Sequence, residues 1–94
     1  MSDVVNKAVA ALNEKVGSFG STAKFVIDGE GSIIIDENGA RAADDPAEVT
    51  LTASADTFQG ILDGSVNPTM AFMTGKLKID GSMGLAMQLG TALS

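Results

Sequence analysis

Few side chains in this sequence are able to do chemistry, and their spacing decides against most reactions. Asp28, Glu30, Asp36 and Glu37 gather near two turns, a density of carboxylates that suggests calcium. A calcium loop begun at Asp28 would put Ile33 where the sixth position requires glycine, so these acids read as solvated turn residues. A catalytic pair of carboxyls needs one member in an apolar pocket that raises its pKa, and most of the acids here lie in polar, glycine-rich stretches. Gly29-Glu30-Gly31 has the first two glycines of a phosphate-binding loop, but Ile34 stands at the third and a β-branched run follows. The chain contains no histidine, so Ser54 and Ser82 lack the usual base and read as helix caps. It also contains no cysteine, which removes thiolate nucleophiles, disulfides and thiolate zinc sites and fits a reducing cytoplasm. Lys76 and Lys78 fall short of the polybasic cluster that holds anionic headgroups and read as exposed strand lysines. No catalytic residue, metal site or cofactor is expected.

Composition narrows the classes further. The 94 residues are 45% hydrophobic and 19% charged, which describes one globular domain over residues 1–94. The net charge of -6 has the wrong sign for nucleic acid. No stretch is apolar for long enough to span a bilayer, and Met1-Ser2-Asp3 does not begin a signal peptide, so a soluble, unexported protein is expected. The charge is unevenly spread: residues 64–94 carry only Lys76, Lys78 and Asp80. Residues 64–75 and 81–94 contain no ionisable side chain, although a helix on a soluble surface normally shows charge on its outer face.

Local patterns supply the elements. Ser2 or Asp3 is placed to cap a first helix whose stripe is Val5, Val9, Leu12 and Val16, and Gly17 ends it. Residues 23–28 and 32–36 read as strands of a meander, the second closing at the Asn38-Gly39 turn. A weak strand covers residues 40–44 before Pro46, and residues 48–53 alternate with Val49, Leu51 and Ala53 on one face. Three consecutive isoleucines, Ile33 to Ile35, call for cover on both sheet faces. A short helix carries Phe58, Ile61 and Leu62 up to Gly64, and Asn67-Pro68 caps and opens another bearing Met70 to Met73. Leu77 and Ile79 then share one face of a fifth strand before a last helix from about Ser82 to Leu93. The order predicts an α+β domain: a five-stranded, mainly antiparallel sheet with helices covering one face.

The last helix has more apolar surface than one sheet absorbs. At about 100° per residue from Leu85, Leu89 falls near 40°, Leu93 near 80°, Ala86 near 100°, Met83 near 160° and Met87 near 200°. That arc is about twice the stripe needed to sit on a sheet. The excess has three possible destinations: a neighbouring helix, a second chain or an apolar ligand. Met70, Met73, Met83 and Met87 lie close together in sequence, and flexible thioethers serve equally as core filler or as an adaptable lining.

The stretch from Asn67-Pro68-Thr69-Met70-Ala71-Phe72-Met73-Thr74-Gly75-Lys76-Leu77-Lys78-Ile79-Asp80-Gly81-Ser82-Met83-Gly84-Leu85-Ala86-Met87-Gln88-Leu89 resembles the signature of the sterol carrier protein type 2 (SCP-2) lipid-binding domain. The likeness extends back through Asp56-Thr57-Phe58 and Ile61-Leu62-Asp63-Gly64, and the strand order agrees from about Phe25. It thus covers roughly three quarters of the chain. The resemblance implies an apolar tunnel between sheet and helices that takes fatty acid, acyl-CoA or other lipid. Sterol binding in particular is not implied. The chain's last residues lack a Ser-Lys-Leu address, which favours a bacterial cytoplasmic protein.

A small non-enzymatic carrier is therefore expected, with Phe58, Ile61, Phe72, Met73, Leu77, Ile79, Met83, Met87 and Leu89 lining its site. Transient membrane contact and a monomer or weak dimer go with that reading. The alternative is a structural or interaction protein that self-associates through its uncharged C-terminal helix. A tunnel of at least about 300 Å³ would cost about 7 kcal/mol if it stood empty, so occupation or partial collapse is expected.

Overall fold

The computed structural model describes residues 3–93. Its elements follow the order α1 (Asp3–Lys15), β1 (Ala23–Ile27), β2 (Gly31–Asp36), β3 (Gly39–Ala42), β4 (Val49–Ala53), α2 (Ala55–Asp63), α3 (Pro68–Met73), β5 (Leu77–Gly81) and α4 (Met83–Leu93). Every expected element is present. Ser2, one of the two expected caps of α1, lies outside the described residues, and Asp3 already belongs to the helix. The stripe on α1 is shifted slightly: Val5, Ala8 and Leu12 are buried, while Val9 and Val16 are only half-buried beside them.

The caps form where short polar side chains precede helical runs. Ser54 Oγ accepts from Thr57 N at 3.2 Å. Asn67 Oδ1 accepts from Thr69 N at 2.8 Å and from Met70 N at 3.2 Å, with Pro68 in the first turn, where its missing N–H costs nothing. Ser82 Oγ accepts from Leu85 N at 3.3 Å. Gly64 ends α2 with φ 87°, a left-handed conformation that glycine adopts without steric cost.

The strands lie in the order β3-β2-β1-β4-β5. The pairs β1–β2, β2–β3 and β4–β5 are antiparallel, whereas β4 runs parallel to β1, with Phe25 opposite Leu51. The meander therefore breaks after β3. Residues 43–48 carry the chain back across β2 and β1 on the face away from the helices. There, Ala43 N donates to Ser32 O, Ser32 Oγ donates to Ala43 O, and Lys24 Nζ pairs with Asp44 at 2.9 Å. The isoleucine run is buried on both faces of the sheet. Ile33 and Ile35 join the main core, and Ile34, flanked by Lys24 and Arg41, is 1% exposed on the opposite face.

β3 is weak by sequence because Gly39, Ala40 and Ala42 offer little side chain, and the helical layer compensates. Asn13 of α1 accepts from Ala40 N at 2.8 Å and donates to Ala40 O at 3.0 Å, so a side-chain amide replaces a neighbouring strand at this edge. All four helices lie on the other face, where Ala23, Phe25, Ile27, Val49, Leu51, Ala53 and Leu77 meet Leu12, Phe58, Ile61, Ala86 and Leu89 in one core.

Candidate functional site

The helical layer is unevenly filled. Between the β1–β4–β5 half of the sheet and α2, α3 and α4 lies a cavity of about 380 Å³. Its floor is Phe25, Leu51, Ala53, Leu77 and Ile79, consistent with the register that sets Leu51 between Phe25 and Ile79. α2 contributes Phe58 and Ile61, and the Phe58 ring stacks on Phe25 with centroids 5.2 Å apart and planes at 17°. α3 contributes Pro68, Thr69, Phe72 and Met73. α4 presents Met83, Ala86, Met87, Gly90, Thr91 and Leu93, which fall on one contiguous sector of the helix.

No lining residue carries a charge. One of the two threonine hydroxyls is already engaged, since Thr91 Oγ1 donates to Met87 O at 3.1 Å within α4. Apart from these hydroxyls, such a lining meets a ligand through dispersion and desolvation. Two of the cavity's lining residues, Met73 of α3 and Met87 of α4, are 73% and 70% exposed and so bring the lining to the surface. Met70, Phe72 and Met83 are the other exposed large apolar side chains among the described residues, so all five belong to these two helices.

Eight of the nine residues expected at the site line this cavity: Phe58, Ile61, Phe72, Met73, Leu77, Ile79, Met83 and Met87. Leu89 does not. It is 0% exposed and belongs to the core, together with the partly buried Leu85. The wide arc of α4 thus divides: Leu85 and Leu89, at about 0–40°, enter the core alone, Leu93 and Ala86, at about 80–100°, belong to core and cavity wall alike, and Met83, Met87, Gly90 and Thr91, at about 140–240°, face the cavity. Lining residues not named from the sequence include Leu51 and Ala53, whose alternation gave a shared face without its destination, and Phe25, which was read only as part of a strand. Ala86, Gly90 and Leu93 were legible from the helical wheel, whereas Pro68 and Thr69 had no sequence signal for the cavity.

The carboxylates lie elsewhere. Asp36 accepts from Arg41 Nη1 at 2.8 Å and from Asn38 N at 2.9 Å, and these bonds, Arg41 foremost, hold its carboxyl below the ordinary range. Hydrogen bonds from Ser65 lower Asp63 in the same way at the end of α2.

An apolar cavity roofed by helices over a mixed sheet makes this an α+β domain with an internal pocket. The profile of the SCP-2 sterol transfer family matches residues 4–94, and the chain belongs to that family. The match includes α1, beyond the part legible from the sequence signature. Human sterol carrier protein 2 is 38% identical over 84 residues, covering 86% of this chain and 14% of that protein. Bovine hydroxysteroid dehydrogenase-like protein 2 is 38% identical over 91 residues, covering 95% of this chain and 21% of that protein. The chain therefore spans only about a seventh to a fifth of these relatives. Among solved structures, the Aedes aegypti sterol carrier protein-2 complex with the C16 fatty acid palmitate superposes with a TM-score of 0.80 at 22% identity, covering 100% of this chain and 97% of that one. The Helicoverpa armigera sterol carrier protein domain gives 0.70 at 26% identity, covering 95% of this chain and 81% of that one. No helix among the described residues is long and apolar enough to cross a membrane.

Proposed function

We propose that this domain is a non-enzymatic lipid carrier that holds the hydrocarbon tail of a fatty acid, acyl-CoA or related lipid in the cavity beneath α3 and α4. The observation that carries the reading is a space of about 380 Å³ whose lining has no charged side chain and whose mouth is fringed by methionines. Its volume lies within the range of roughly 300 to 1,000 Å³ typical of small-molecule sites. The palmitate complex of the Aedes aegypti protein supports a fatty acid as the first ligand to test. Exposed Met73 and Met87 bring apolar surface to the mouth itself, which suits brief contact with a membrane during loading and release. The absence of cysteine is compatible with a reducing cytoplasm.

A second reading rests on the same exposed residues: the α3–α4 face joins two copies of the chain. Native mass spectrometry of freshly purified protein separates the two, since the carrier appears as a monomer with added lipid mass and the alternative as a ligand-free dimer. Melting supplies the second measurement. Palmitate at a hundredfold excess over its Kd stabilises a specific binder by about 2.7 kcal/mol, which raises the Tm of a domain this size by roughly ten degrees or more. Identical melting of stripped and loaded protein across a series of chain lengths would end the carrier reading.

A further inference from the structure

A second cavity lies on the other side of Phe58. It measures about 390 Å³ and occupies the groove between α1 and α2, where Ala8, Ala11, Ile27 and Leu62 form apolar walls and Lys7 and Asp63 stand at the rim. The two cavities share a single lining residue, Phe58. Neighbouring positions divide in the same way. On β1, Phe25 lines the first cavity and Ile27, two residues on and on the same sheet face, lines the second. On α2, Ile61 belongs to the first and Leu62 to the second. Phe58 is 4% exposed, and its ring rests against Phe25. Phe58 thus stands between the two spaces, held there by its stacking on Phe25 and by its burial in the core.

We propose that Phe58 is the partition that sets the length of hydrocarbon the domain accepts. In place, it confines the ligand to the space beneath α3 and α4. Displaced or shortened, it admits the end of a longer tail into the more open α1–α2 groove, where Ala8, Ala11, Ile27 and Leu62 offer apolar contact. The inference rests on the carrier reading given above, and palmitate binding by the unmodified protein tests that reading separately.

The experiment compares Phe58→Ala and Phe58→Leu with the unmodified chain in competitive displacement of a fluorescent acyl probe by palmitate, arachidate and behenate. Thermal melts establish which variants are folded. The ratio of behenate to palmitate affinity is expected to rise roughly tenfold or more in Phe58→Ala, because several additional methylenes leave water, and by less in Phe58→Leu. Adding Ala11→Phe fills the second cavity from the α1 side and is expected to cancel the gain, a non-additivity that a general loosening of the fold would not produce. The partition is overturned if folded Phe58 variants keep the original ratio, or if the gain survives Ala11→Phe. Should Phe58→Ala fail to fold, Phe58→Leu decides by the direction of its change. An unmodified chain that binds no palmitate overturns the carrier reading on which the partition depends.

Discussion

The two halves of the helical layer are built differently on the same sheet. Over β2 and β3, α1 buries Val5, Ala8 and Leu12 and secures the thin edge strand through Asn13. Over β4 and β5, α4 buries Ala86, Leu89 and Leu93 but holds Met83 and Met87 over open space. The first half has charged residues on its outer face, including Lys7, Glu14 and Lys15, whereas α4 has none. A helix that packs on one side only needs a narrow apolar stripe. A helix that also roofs an open space needs a second stripe, and that is where the additional methionines of α4 lie.

The largest expected effect separates these halves by stability. Leu12→Ala removes a side chain that is 0% exposed and should cost about 2 to 5 kcal/mol in denaturant unfolding. Met87→Ala removes a side chain of similar size that is 70% exposed and should change stability by no more than about 0.5 kcal/mol while weakening fatty-acid binding. Equal losses in the two variants would mean that Met87 is packed as tightly as Leu12.

Gly90 sharpens the contrast by moving stability and binding in opposite directions. It lies in α4, lines the cavity, and would place an added Cβ only in ordinary contact with Pro68, 3.9 Å away. Replacing a mid-helix glycine with leucine gains up to about 1 kcal/mol in helix propensity, and its side chain fills part of the cavity. Gly90→Leu is expected to raise the Tm of stripped protein and lower palmitate affinity several-fold, measured on the same preparation. A variant that melts lower and binds as before would place the ligand elsewhere.

Much of this arrangement was legible because local rules and tertiary structure agree. Ser54, Asn67 and Ser82 cap helices where short polar side chains precede them, and the alternation of Val49, Leu51 and Ala53 gave the buried face of β4. The excess apolar arc of α4 pointed to most of the cavity wall. The parallel pairing of β4 with β1 was not legible, since strand direction depends on where the crossing segment runs and no residue type records it. Leu89 was misplaced for a related reason: the wheel ranks positions by angle but does not show which edge of a broad stripe meets the core. The second cavity was invisible because small residues such as Ala8 and Ala11 signal close packing and empty space equally well.

The smallest expected effect concerns charge. Asp36, at the turn joining β2 to β3, is held below the ordinary carboxylate value of 3.8 by Arg41 first and the Asn38 N–H second. A carboxyl with a depressed folded-state pKa contributes its stability fully above the unfolded value and loses it as pH falls through the folded one. Arg41→Gln should therefore raise the Asp36 pKa in an NMR titration and reduce stability slightly at neutral pH, with the difference from the unmodified chain vanishing in strong acid. The cavity has no corresponding group, because none of its lining side chains ionises. Palmitate binding near neutral pH should accordingly follow the ligand's own carboxyl and be the same in Arg41→Gln. A shift of the binding curve with that substitution would couple the charged half to the uncharged one and remove the distinction between them.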